Sequence, residues 1–207
     1  MLRRIVTYLA GLLVLAFGVG FSVNSDLGVS PVSSLPYTAS LILPWGLGLM
    51  TAAIFLVFVV LQIIILGKKF KWPKLIQIAF VSIFGFFADF ALWVLGDFQI
   101  PTYWGRLLML VISIVLIAVG LVLILAGRFV SLPPEEFCVT LEQRWPKIKF
   151  HRAKMVMDCV LVLISLALSL VFLEGFGGVR EGTIISAYSI GKIIPFVKKA
   201  IGRFLPA

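Results

Sequence analysis

FFADF, Phe86 to Phe90, places one carboxylate in an apolar run that extends from about 74 to 96. An acid at such depth costs about 2.5 to 3.5 kcal/mol on membrane-insertion scales, so Asp89 should face a bundle interior, water or a partner. Read functionally it is a proton or cation site. Lys192, in YSIGKII, is the cationic counterpart and an anion or counter-ion candidate. Both also fit a structural ion pair, and Lys192 fits exposure at a span end. Around it Thr183, Ser186, Tyr188 and Ser189 supply neutral donors and acceptors, as does Gln62 in an earlier run. Asp158, in MVMDCVL, lies nearer a basic loop and can snorkel more cheaply. Asp26, in a short NSD turn, reads as a solvated loop acid.

A second group of polar residues sits where helices should begin. Proline tolerates the first helical turn, where no backbone donor is needed, and a preceding serine can cap the free N–H groups. In VSPVSSLP, Ser30 with Pro31 or Ser34 with Pro36 could open a short helix. In VSLPPEEF, Ser131 with Pro133 and Pro134 opens another, and Glu135 and Glu136 fall in its first turn, where the helix dipole favours anions. The run after Pro36 is too short to span a membrane and too apolar for an ordinary loop, which suits a re-entrant or interfacial half-helix. Two such starts could present N–H groups to an anionic solute group. The alternative is a pair of amphipathic connectors that only cover the bundle ends.

Catalysis finds little support. His151 is the sole histidine, which excludes HExxH and other zinc sites that need two. Glu135, Glu136 and Arg144 lack the spacing and the histidines of paired-glutamate intramembrane proteases. GxSxG, GxxxxGK[ST] and GxGxxG are all absent, so ATP-driven movement would need a separate subunit. The expectation is no enzyme, no cofactor and no metal, with Cys138 and Cys159 as unpaired structural cysteines.

The elements that must position these residues are membrane spans. Of 207 residues 61% are hydrophobic and 13% charged, with a mean hydropathy of +1.15. A soluble chain of this size has too little interior for several apolar runs of about 20 residues. The fold class is therefore all-α membrane protein, in a single integral domain over 1–207. Spans are read at about 5–23, 49–67, 74–96, 106–127 and 154–173, with a weaker sixth at about 182–198, where Gly191, Lys192 and Pro195 suggest a broken, tilted or interfacial helix. The first span follows Arg3 and Arg4 and lacks a small-x-small cleavage site, so it reads as an uncleaved helix.

The net charge of +9 lies in short loops, which makes it a topology signal and not a nucleic-acid face. Arg3 and Arg4, Lys68 to Lys74, Arg128 to Lys154, and Lys198, Lys199 and Arg203 fall on one side of a six-span arrangement; Arg106 and Arg180 fall on the other. Both termini are then expected in the cytoplasm, and the lipid bilayer is the first expected partner. Small residues on the first and third spans, Gly11, Gly18, Gly20 and Gly85 among them, suit close helix packing.

Internal similarity organises these spans further. VSPVSSLP after the first span and VSLPPEEF after the fourth occupy matching places, and Gly85 in VSIFGFFADF aligns with Gly191 in AYSIGKIIPF. Halves 1–100 and 101–207 with three spans each would enter the membrane from opposite sides, an inverted repeat with one half-helix per half.

The segments GVGFSVNSDLGVSPVSSLP, WGLG, LGKKF and REGTIISAYSIGKII together resemble the YczE/YyaS/YitT group of bacterial integral membrane proteins, above all its YczE-like branch. LGVSP (27–31) and EGTIISAYSIGK (181–192) are the most specific pieces. The resemblance implies a multi-pass protein of the bacterial inner membrane, commonly presumed to transport, without securely established substrate residues. The function expected is a small secondary transporter or permease for an unidentified solute, with an anionic solute in view. The alternatives are a solute-binding subunit that needs an ATPase partner, or a non-transporting scaffold. Assembly as a homo-oligomer is suggested by analogy alone.

Overall fold

A computed structural model describes residues 2–173 and 175–201; Arg203, counted above with the basic residues, lies outside them. Within the described residues the regular structure is helical: α1 (Leu2–Asn24), a short α2 (Pro31–Ile42), α3 (Leu47–Leu66), α4 (Ile76–Leu95), α5 (Tyr103–Gly127), a short α6 (Pro133–Arg144), α7 (Phe150–Phe172) and α8 (Glu181–Ile201). Two 3₁₀ turns, Gly67–Lys69 and Trp72–Leu75, join α3 to α4.

Five helices are long and apolar enough to cross a membrane: those of α1, α3, α4, α5 and α7. Their outer faces expose large apolar side chains such as Ile64, Phe86, Val111, Leu163 and Val171, as lipid-facing helices do. The sixth expected span is α8, which runs unbroken for 21 residues through Pro195. It falls short of the apolarity of the others because Glu181, Lys192, Lys198, Lys199 and several hydroxyl residues share its surface.

α1 and α5 form the central pair, and glycines set their spacing. A side chain at Gly11 would meet the backbone of Ile124 at 2.8 Å, one at Gly18 the backbone of Ile117 at 2.9 Å, and one at Gly120 the backbone of Leu15 at 2.7 Å. Since numbers rise along α1 as they fall along α5, the two helices are antiparallel. The small-residue face of the first span is thus a packing seam.

The remaining helices surround this pair in a repeated pattern. α1 packs on α4 as α5 packs on α8, α2 on α7 as α6 on α3, and α2 on α3 as α6 on α7. One pairing is unmatched: α3 lies along α4, whereas α7 and α8 scarcely touch. The cause is visible where α3 and α7 begin. Gly46 and Gly48 open α3, and Gly48 lies so close to Gly85 of α4 that an added Cβ would fall 2.0 Å from the Gly85 carbonyl oxygen. At the matching place α7 opens with Phe150, His151 and Arg152, and Gly191 of α8 has open space around it.

Both short helices start near their expected prolines. Ser30 stands at the N-cap of α2, although its hydroxyl donates to the Ser33 hydroxyl (3.0 Å) and not to a backbone group. In α6 the N-cap position is Leu132, so Ser131 lies one residue too early for the capping role expected of it. Two consecutive prolines, Pro133 and Pro134, fix the start instead, and Glu135 and Glu136 do fall in the first turn.

One end of the bundle is tied together. The Asp26 carboxylate accepts from Arg106 (2.9 Å) and pairs with Arg180 (3.0 Å), and Arg180 also donates to the Asp26 carbonyl. Asp26 is therefore the partner of the two basic residues that break the charge pattern, and not the solvated loop acid expected of it. The Val29 N–H donates to the Gly178 carbonyl (3.0 Å), and that of Gly182 to the Leu27 carbonyl (2.7 Å). Gly28 has φ +98°, a left-handed conformation that favours glycine, and a Cβ there would lie 2.7 Å from both the Arg180 nitrogen and the Thr183 hydroxyl. Thus LGVSP and the start of EGTIISAYSIGK form one packed unit.

Candidate functional site

A cavity of about 570 Å³ lies between α1, α5 and α8, with the starts of α2 and α6 in its wall. Its volume falls in the range of small-molecule sites, about 300 to 1,000 Å³. Leu15, Val19, Phe55, Phe84 and Ile117 make much of the wall apolar. The remaining wall comes from the last turns of α5 (Ile124, Leu125), the first turns of α7 (Phe150, Lys154, Asp158) and the second half of α8 (Gly191, Ile194). The cavity therefore extends toward the end of the bundle opposite Asp26. It exists because α7 and α8 stand apart where α3 and α4 close.

Three ionisable side chains line this cavity. Lys154 Nζ donates to Asp158 Oδ1 at 2.8 Å, one helical turn along α7, and lies 3.5 Å from Glu135 Oε1 on α6. Each of the three keeps about a quarter of its side-chain surface exposed: 26% for Lys154, 24% for Glu135 and 23% for Asp158. Glu135 Oε2 is buried and has no hydrogen-bond partner. The neighbouring Glu136 turns away to an ion pair with Lys74 (2.5 Å), which links α6 to the turn before α4. The cavity thus offers one buried carboxylate oxygen with unused acceptor capacity.

Of the residues singled out from the sequence, Ser30, Ser131 and Ser186 come together on the cavity wall. Ser186 is fully buried on α8 and its hydroxyl has no partner. A buried unsatisfied hydroxyl costs about 1 kcal/mol or more. Ser186→Ala is expected to leave unfolding stability unchanged or raise it by up to about 1 kcal/mol, measured by chemical denaturation in mixed micelles. A loss of stability would mean that the hydroxyl has a structural partner.

The others lie elsewhere. Ser34 is buried against α7; its hydroxyl donates to the Pro31 carbonyl, and its own carbonyl accepts from Ser165, which also bonds Thr38. Thr183 is buried in the Gly28 unit, where its hydroxyl accepts from the Arg180 N–H. Asp89 is exposed on α4 and accepts from the Gly48 N–H at 2.7 Å, so it serves the otherwise unpaired amino end of α3. Lys192 lies over the ring of Tyr188 and donates to its hydroxyl; Tyr188 is 65% exposed, and neither residue lines the cavity. Ser189 is half-buried beside them and also off the wall. Gln62 exchanges amide bonds with Gln77 and donates to the Pro133 carbonyl, holding α3, α4 and α6 together.

In the sequence Lys154 reads as a loop cation and Asp158 as a snorkelling acid. Their i, i+4 spacing was the available signal, since it places opposite charges on one helix face, one turn inside an apolar run. No sequence pattern announced that Glu135 would meet them. Among the described residues no three His, Cys, Asp or Glu side chains gather as a metal site.

An all-helical bundle with five candidate spans, around an apolar cavity that ends in half-buried charges, defines a multi-pass helical membrane protein. The chain belongs to a family of unknown function, DUF6198, whose model matches residues 2–199. No curated protein and no solved structure is significantly similar to it.

Proposed function

We propose that this protein is a small secondary transporter or permease that moves an amphipathic small solute by alternating access. The observation that carries this reading is the cavity itself: both short helices turn their first residues into its wall, where half-buried charges and an unpartnered hydroxyl meet an apolar chamber. Sites of this form, at the junction of two repeats and beside broken helices, are a recurrent transporter design. In this reading the two four-helix sets are an inverted repeat, which the antiparallel α1 and α5 and the matched helix pairings support. The likeness of LGVSP and EGTIISAYSIGK to the YczE-like branch supports it as well.

The cavity extends toward the end rich in Lys and Arg, and the positive-inside rule makes that end cytoplasmic, together with both termini, in a bacterial inner membrane. The arrangement is then an inward-facing one, held shut on the far side by Asp26, Arg106 and Arg180. Ser30, Ser131 and Ser186 are the hydroxyls available to a solute; the protein performs no covalent step.

Purified protein alone, in liposomes, should accumulate or exchange at least one member of a labelled panel of amino acids, amines and carboxylic acids with apolar bodies. Absence of movement across the panel, followed by uptake once a co-purifying ATPase is restored, would replace this reading with that of a binding subunit.

A further inference from the structure

The charge around the cavity narrows the solute class. Its charged wall residues are Glu135, Lys154 and Asp158, two acids against one base. Lys154 is engaged by both acids, at 2.8 Å and 3.5 Å, so it offers an entering anion little that is not already shared. Glu135 Oε2 is a buried acceptor without a donor, and Ser186, fully buried on the same wall, lacks a partner too. The two helix starts do not reverse this balance. Each contributes about half a positive charge at most, and the α6 start already carries Glu135 and Glu136 in its first turn. At the α2 start Pro31 lacks an N–H, and the Ser33 N–H already bonds the Ser30 carbonyl (2.9 Å). Lys192, the cation that would have suited an anionic solute, lies away from the cavity.

We propose that the cavity binds a small amphipathic organic cation, a protonated amine on an apolar body, with the ammonium group donating to Glu135 Oε2 and the body lying against Leu15, Val19, Phe55, Phe84 and Ile117. The ammonium supplies the donor that Glu135 lacks and cancels the residual negative charge. An anion would instead face two carboxylates, and a neutral alcohol would leave the excess charge in place. The apolar wall selects amines with a hydrocarbon body over small hydrophilic ones. This inference rests on the transporter reading for its biological meaning, but the binding it describes is a property of the cavity alone.

The test is equilibrium binding to the full chain in lipid nanodiscs, without a gradient, using phenylalkylamines from benzylamine to 4-phenylbutylamine, with 3-phenylpropionate and 3-phenyl-1-propanol as anionic and neutral comparators. At least one amine should bind about tenfold or more tightly than both comparators, the scale of one charge-assisted hydrogen bond. Glu135→Gln should remove that preference, weakening amines about tenfold while leaving the alcohol unchanged. Ser186→Ala, which disturbs no existing bond, checks that the occupied space is this cavity: it should shift amine affinity and leave the fold intact. Equal or tighter binding of the carboxylate or the alcohol overturns the proposal, as does no amine binding up to about 10 mM or an amine preference that survives Glu135→Gln. Amine binding without uptake in liposomes would retain the cation site and remove the transporter reading. Uptake of an anionic solute without amine binding would do the reverse.

Discussion

Gly48→Leu is expected to lower unfolding stability by about 3 kcal/mol or more, the upper end of what overpacking costs. The first added atom alone would sit 2.0 Å from the Gly85 carbonyl oxygen and 2.5 Å from Asp89 Oδ2. Backbone cannot yield as a flexible side chain can, so α3 and α4 must separate, and the Gly48 N–H bond to Asp89 would lengthen with them. Gly191→Ala provides the contrast. Gly191 is the aligned residue of the second half, yet nothing lies within 4 Å of its added Cβ. Replacing a glycine inside a helix there should stabilise, by up to about 1 kcal/mol. Reversible unfolding in mixed detergent micelles would measure both variants. Equal destabilisation by the two would show that α8 lies against α7 as α4 lies against α3.

Lys154→Met should lower unfolding stability by about 2 to 3 kcal/mol. Removing the shared cation leaves Glu135 and Asp158 half-buried on the cavity wall without it. Breaking a buried pair costs about 3 to 5 kcal/mol, and the quarter exposure of these side chains places the effect below that range. The cost should be largely reversed in the triple variant Glu135→Gln, Lys154→Met, Asp158→Asn, because neutral groups of similar shape replace the whole cluster. Thermal unfolding of the single and triple variants decides the matter. A triple variant no more stable than the single one would locate the role of Lys154 in packing and not in charge.

Which features were legible in the sequence follows from what each depends on. The five apolar spans and the two proline-led short helices depend on local composition, and the structure has both. Gly85 and Gly191 aligned in sequence, but their surroundings differ because Gly46 and Gly48 stand where α7 has Lys149 and His151, a comparison that requires the fold. Asp89 stands out in the sequence as an acid inside a span, yet it is exposed and not deep in the bundle. It lies two turns from the end of α4, within reach of the amino end of α3. Lys154 and Asp158 stand out less, because a charge near a span end is ordinarily solvated. What makes them a cluster is Glu135, brought from another helix by the Pro133 start, and tertiary proximity of that kind leaves no mark on a single sequence. The partnership of Asp26 with Arg106 and Arg180 is hidden for the same reason, since it joins residues 80 and 154 positions apart.

The sparse contact between α7 and α8 also bears on how the molecule assembles. α8 leaves the ribosome after the seven helices before it, is the least apolar of the long ones, and rests chiefly on α5, with a smaller contact to α2. Lipid alone gives such a segment little reason to stay, so its lodging depends on a groove that the earlier helices have already built. Gly182, whose Cβ would meet the Leu27 carbonyl oxygen at 2.5 Å, marks where it docks. The chamber therefore gains its α8 wall only after its other walls have been made, and a chain halted before residue 181 would present its cavity residues, Lys154 among them, to the bilayer. Membrane quality-control proteases that recognise unshielded charge would have a clear mark by which to tell the unfinished protein from the finished one.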